Sequence, residues 1–187
     1  MSVNKLLTRI VAPDIHLEVD NKSSGGRHEI MMGLHDFTYG ITSDPLTQFG
    51  IVLSALVHDV DHKGISNTQL AVENPSLANL YKGKSLAEQN SIDLAWDALM
   101  MPEFTELRKC IYTDAEELGR FRQTVLRVVL ATDIFDKDLN GLRKQRWEEA
   151  FAVKNNLTQR DINVKATIVI EHLIQASDVS HTMQHWQ

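Results

Sequence analysis

The sequence predicts an all-α protein, a multi-helix bundle, and three observations carry that reading. No stretch alternates apolar and polar residues for long enough to make a strand. Helix-start signals recur at Asp44-Pro45, near Asp114 and at Thr158-Gln-Arg-Asp161. Between these signals the apolar residues form helix-length segments. At 187 residues the chain is long enough to bury one core, and no interdomain linker or internal repeat divides it.

Taken in order, Met1–Val11 is a short amphipathic stretch stopped by Pro13. Residues from about 14 to 43 read as irregular, with a loop signal at Asn21-Lys-Ser-Ser-Gly-Gly26. Asp44 then reads as an N-cap, with Pro45 at the first helical position. That helix is expected to run to about Asp61. It is apolar nearly all round, which marks a buried helix, and Gly64 is placed to end it. Asn67–Tyr81 reads as one or two short helices broken at Pro75, and Ser85–Met100 as another. A helix starting near Asp114 carries Val125-Leu-Arg-Val-Val-Leu-Ala131. Asp138–Asn155 is charged and reads as an exposed helix, and Val164–Ser177 closes the series as a mostly apolar one.

Composition narrows the function. Apolar residues at 43% and charged residues at 24% exclude wholesale disorder, collagen and a coiled-coil rod. No apolar run reaches the roughly 18 residues of a spanning helix. The N-terminus lacks the apolar region of a signal peptide. A single cysteine, Cys110, excludes a disulfide framework and reads as a core or half-buried thiol. The net charge of −6 gives no basic surface for nucleic acid. If the protein handles a phosphate, a bound metal is the obvious source of positive charge.

Polar residues interrupt the apolar helices at a few places. In His58-Asp59-Val-Asp-His62 two imidazoles and an adjacent carboxylate follow nine largely apolar residues. On a continued helix His58 and His62 would share a face. Imidazole and carboxylate are ordinary ligands of zinc, manganese or iron. The plainer reading is a helix end whose histidines complement the dipole. Asp178, after the last apolar helix, reads either as a helix-ending residue or as the distant carboxylate that a metal site would need. Thr132-Asp133 is similarly either a capping pair or part of a site. His35-Asp36 falls in the irregular stretch and reads as loop, as do His16 and His28. Trp96, Trp147 and Trp186 read as packing residues.

The order and spacing of these blocks resemble a known family. Ala55-Leu-Val-His-Asp-Val-Asp-His-Lys-Gly-Ile-Ser-Asn67 is similar to the metal-binding signature of class I 3′,5′-cyclic nucleotide phosphodiesterases, His-Asp-x-x-His-x-Gly-x-x-Asn. Leu77–Tyr81, Ser85–Glu88, Leu130–Asp133 and Ala176–Ser180 continue the resemblance. It implies a compact helical bundle of the HD phosphohydrolase type. It also implies two divalent metals, zinc with magnesium or manganese, and a 3′,5′-cyclic nucleotide (cAMP or cGMP) hydrolysed to the 5′-monophosphate. His58, Asp59 and Asp178 would be metal ligands. His62, Glu88, Thr132, Asp133 and Asn67 would support the site, with Tyr81 packing near it. Ile134 and His181 would edge the substrate pocket. The resemblance further implies a cytoplasmic domain, with regulatory domains possible in a longer parent protein.

The departures set further expectations. The family's first motif, His-Asn-x-x-His, is absent, as is its downstream base-reading segment. Asn90 and Ser91 stand where the family has a histidine pair, and His181 where it often has asparagine. Residues 1–187 are therefore expected to be one partial catalytic domain with little or no activity alone. Another HD-type phosphohydrolase, or a helical remnant without catalysis, are the alternative readings.

Overall fold

The computed structural model describes residues 3–11, 32–152 and 156–180, and among these residues the regular structure is helical, with no strand. The helices are α1 (Val3–Val11), α2 (residues 32–37), α3 (Pro45–Val57), α4 (Asn67–Glu73) and α5 (Pro75–Leu80). They continue as α6 (Leu86–Met100), α7 (Thr105–Ile111), α8 (Ala115–Leu130), α9 (Lys137–Phe151) and α10 (Gln159–Asp178). Short 3₁₀ turns lie at Ile41–Ser43 and Pro102–Phe104.

Most helices start where local chemistry dictates. The Asp44 carboxylate accepts from the Thr47 amide, with Pro45 in the first turn. Asn74 caps α5 ahead of Pro75, so the expected break there is real. Asp114 accepts from the amides of Glu116 and Glu117 at the head of α8. Thr158 and Asp161 form a reciprocal capping box at the head of α10.

The centre of the molecule is α3 laid against α8. Gly50 lets the two approach: a Cβ there would sit 2.9 Å from the Thr124 methyl carbon. Ile51, Val128, Ile170 and Ile174 fill one core, closed by Val3 and Leu7 of α1. Phe121, Val125, Val129 and Ile92 fill a second between α8 and α6. Leu70, Leu86 and Ala87 make a third under α4 and α5. Trp96 packs on Phe121 at 6.1 Å between ring centroids, and Trp147 on Phe151 at 4.5 Å. Trp186 lies outside the described residues.

Four expectations are corrected. First, α3 stops at Val57, not near Asp61. His58 caps it, and Asp61 adopts φ +61°, which no helix continues through. Second, α3 buries only one face: Gly50, Ile51 and Ser54 are buried, whereas Leu56 is 78% exposed. Third, residues 32–43 are not irregular. Residues 32–37 are helical, and Gly40 in the left-handed region ends the following turn by donating to the His35 carbonyl. His35 is thereby held, its Nδ1 2.9 Å from the Ser43 hydroxyl; residues 14–31, including His16 and His28, lie outside the described residues. Fourth, Cys110 is exposed, because α7 is a short surface helix that the apolar pattern does not announce.

Candidate metal centre

Ending α3 at Val57 decides what the His58–His62 segment can do. The chain turns back on itself through the Val57–Val60 and Asp59–His62 backbone hydrogen bonds. His58 and His62 therefore do not share a helix face. His58 points to the end of α10, where its Nε2 lies 3.3 Å from Asp178 Oδ1 and 3.4 Å from Asp59 Oδ2. One ligand atom from each of the three residues falls within 4.8 Å of the others, an arrangement able to hold a metal ion. Residues 120 positions apart are brought together here by the packing of α3 on α10.

The electrostatics of this trio favour a cation. His58 Nδ1 lies 3.0 Å from the Ala55 carbonyl oxygen. A carbonyl only accepts, so Nδ1 carries a proton, and Nε2 is the atom that faces the two carboxylates. Three electron-rich atoms converging in this way need a positive centre among them, either a second imidazole proton or a metal. The donor set of one imidazole and two carboxylates suits zinc or another divalent transition metal, and the Ala55 contact orients the ring as outer-shell partners of ligating histidines do.

A second polar group lies behind the turn. The Asn67 side chain donates from Nδ2 to Glu88 Oε2 at 2.9 Å and to Asp133 Oδ2 at 3.3 Å, while its Oδ1 accepts from the Ala87 amide at 2.9 Å. Asn67 thus stitches α4, α6 and the segment after α8 together. Asp133 is buried and also accepts from the Ser85 hydroxyl at 2.7 Å and, through Oδ1, from the Asp136 amide at 3.2 Å. Asp133 thus caps a turn and also joins the Asn67 network. Burial pushes the Glu88 carboxyl above its ordinary value; the nearby Asp133 charge adds to this, and the Asn67 hydrogen bond opposes it.

The other expected residues are more scattered. His62 is exposed, its Nδ1 accepting from the Gly64 amide at 3.0 Å. The Thr132 hydroxyl is committed to the Val129 carbonyl at 2.7 Å. Ile134 is 37% exposed. The Tyr81 hydroxyl donates to Asp93 at 2.8 Å, and burial followed by that bond pushes the phenol up to about 12. His181 lies outside the described residues.

Several supporting residues escape a reading of motifs. Asn90 and Ser91 hold the turn from behind: Asn90 donates to Asp61 Oδ2 at 3.4 Å, and the fully buried Ser91 donates to the Val60 carbonyl at 2.7 Å. Gln175 ties α10 to the end of α8 through the Ala131 carbonyl at 2.8 Å, and Arg143 bridges the carbonyls of Leu130 and Asp133. Ser85 is buried at φ +41°, a conformation costly for a non-glycine residue, and this aims its hydroxyl at Asp133. The sequence signals for Ser85 are its place ahead of α6 and its membership of the Ser85–Glu88 block, and neither points to Asp133.

Comparison with known proteins gives the family and the fold. The family model for 3′5′-cyclic nucleotide phosphodiesterase matches residues 29–187. The human cGMP-inhibited 3′,5′-cyclic phosphodiesterase 3A is 30% identical over 125 residues, covering 61% of this chain and 11% of its own length. A dual specificity calcium/calmodulin-dependent 3′,5′-cyclic nucleotide phosphodiesterase 1 of Drosophila melanogaster is 23% identical over 138 residues, covering 74% of this chain and 15% of its own length. The phosphodiesterase domain of the RhoPDE fusion protein from the choanoflagellate Salpingoeca rosetta shares the fold with a TM-score of 0.60 at 22% identity, over 82% of this chain and 48% of that one. The chain spans under a fifth of the length of the curated relatives it matches.

Proposed function

The chain belongs to the 3′,5′-cyclic nucleotide phosphodiesterase family, and from that premise we propose that it supplies the metal-holding part of a site that hydrolyses a 3′,5′-cyclic nucleotide to its 5′-monophosphate. The observation that carries this is the convergence of His58, Asp59 and Asp178 within 4.8 Å. His58 would bind through Nε2, and Asp59 and Asp178 through carboxylate oxygens. Asp59, the most exposed of the three side chains at 66%, would reach a second ion as well. Zinc for the inner position and magnesium or manganese for the outer one fit these ligand types.

When bound, such ions supply Lewis acidity at phosphorus and an acidified water. The chain's own residues do the rest. Glu88, held by Asn67 with its carboxyl raised, offers an acceptor or a donor toward ordered water beside the site. His62 faces solvent next to the same turn, where a water can bridge it inward. Thr132 and Asp133 fix the end of α8 that faces Asn67. Ile134 and His181 would border the base. An anionic substrate is then drawn by the metals, in agreement with a chain of net charge −6.

No helix among the described residues is long and apolar enough to cross a membrane. A cytoplasmic domain, carried with regulatory domains in a longer parent, fits a cyclic nucleotide substrate. The reading is tested by stripping the 187-residue chain with a chelator, reloading it with zinc and counting bound metal by mass spectrometry. Stoichiometric zinc that is lost in Asp178→Asn is expected. A wild-type chain that retains none, however loaded, sinks the proposal.

A further inference from the structure

Away from the metal centre, α8, α9 and α10 each contribute one arginine to the lining of a single cavity of about 610 Å³: Arg127, Arg146 and Arg160. Glu171 is the one carboxylate in its lining. It is 8% exposed, and both of its oxygens accept from Arg146 Nη1, at 3.1 and 3.3 Å. That pair neutralises one positive charge and fixes the Arg146 fork in place. Arg127 and Arg160 form no ion pair among the described residues. The cavity therefore holds a surplus of two positive charges in a chain whose net charge is −6.

The neutral lining points the same way. Asn163 accepts through its Oδ1 from Gln159 Nε2 at 3.0 Å, which fixes the amide and leaves its NH₂ as a donor. Guanidiniums are planar forks that match the oxygens of phosphate and carboxylate groups, and they bind such oxyanions more tightly when several converge. Arg127 and Arg160 are exposed and Arg146 is 41% exposed, so the concavity opens to solvent, and three separate helices bring an arginine to its lining. We propose that this cavity is an anion site for a phosphate-class dianion, either free phosphate or the phosphate of a nucleoside monophosphate. Arg127 and Arg160 grip the oxygens, Asn163 donates to one of them, and Arg146, held by Glu171, completes the wall. The site is distinct from the metal centre: Glu171 precedes Asp178 by seven residues on α10, about 10 Å along the helix axis.

The test titrates the full 187-residue chain with inorganic phosphate and, separately, with 5′-AMP. Ionic strength is held constant with sodium chloride, and a chelator is present throughout. The readout is the NMR shift of the Asn163 side-chain amide. Saturable shifts are expected, weakened about tenfold for each guanidinium removed in Arg127→Gln and in Arg127→Gln/Arg160→Gln. The Asp59→Asn/Asp178→Asn chain is expected to bind the anion as the parent does, which separates this inference from the metal reading. Equal affinity for the two probes identifies the phosphate group alone as the ligand, and tighter 5′-AMP identifies a nucleotide. No saturable shift, an unchanged affinity in the double arginine variant, or loss of binding in Asp59→Asn/Asp178→Asn overturns the proposal.

Discussion

The two polar groups beside the end of α3 hold two carboxylates each, yet they are built on opposite plans. Around Asn67, the acceptors on Glu88 and Asp133 meet donors from Asn67, Ser85 and the Asp136 amide, so the group is satisfied by the protein itself. Around His58, the ring nitrogen and two carboxylate oxygens face one another. The first arrangement stabilises the fold, and the second calls for a positive centre, a second imidazole proton or a metal. Residue type alone does not distinguish them, since both are made of carboxylates with one nitrogen-bearing partner. The position of the protons does.

This contrast predicts opposite responses to mutation. The largest effect is expected for Asp59→Asn and Asp178→Asn, which should weaken zinc binding by more than about a hundredfold, since even outer-shell partners cost 10–100-fold. Their unfolding midpoints in chelator should match the parent's. A marked loss of stability in the metal-free state would show that this trio, too, is structural. Asn67→Ala should do the reverse. It leaves Glu88 and Asp133 close together without their shared donor, and urea unfolding should show a loss of about 2–3 kcal/mol. A variant as stable as the parent would break the comparison from its other side.

Ser85 sharpens the point at smaller scale. Ser85→Ala removes the hydroxyl held by Asp133 but keeps the strained backbone, so a loss of about 1–2 kcal/mol is expected. Ser85→Gly removes the same bond and relieves φ +41°. If aiming the hydroxyl is the reason for the strain, the glycine variant should be the more stable of the two in thermal unfolding. The reverse order would mean that the side chain matters for something other than Asp133.

What was legible in the sequence was what local chemistry decides. Asp44, Asp114 and Thr158 with Asp161 act on amides within three residues, so their helix starts could be read directly, and Pro75 marked the break that Asn74 caps. The His58, Asp59 and Asp178 grouping was suggested by residue type and by family resemblance, and α3 and α10 do bring it together. The shared helical face of His58 and His62 was wrong because Asp61 leaves the helical region, a turn that depends on support from Asn90 and Ser91 some 30 residues away. Ser85 falls in a block that the resemblance names, but its role does not show there for the same reason: its partner lies 48 residues on. Helix α7 carries no cap signal, and its Cys110 faces solvent. The arginine cavity needs three helices to assemble, and no stretch of sequence contains it.

The smallest expected effect separates two carboxylates by the sign of their pH dependence. Burial pushes Asp44 up, but the hydrogen bonds from Thr47 and the Arg120 charge outweigh it and hold the carboxyl below 3.8. Its stabilising contribution is therefore present above that value and is lost as pH falls through the lowered folded value. Glu88 behaves in the opposite way. Its folded carboxyl is raised above 4.5, so folding favours the protonated form, and that contribution fades as pH rises through the raised value. In chelator, Glu88→Gln keeps an acceptor for Asn67 and removes the cost of ionising. The difference in unfolding midpoint between Glu88→Gln and the parent should shift in favour of the variant between pH 4 and pH 7, by well under about 1 kcal/mol given partial solvent screening. For Asp44→Asn the shift should run against the variant over the range below pH 4.5. Two curves of the same sign would mean that Glu88 is not held by burial at all and that the network around Asn67 is as open to water as the cluster around His58.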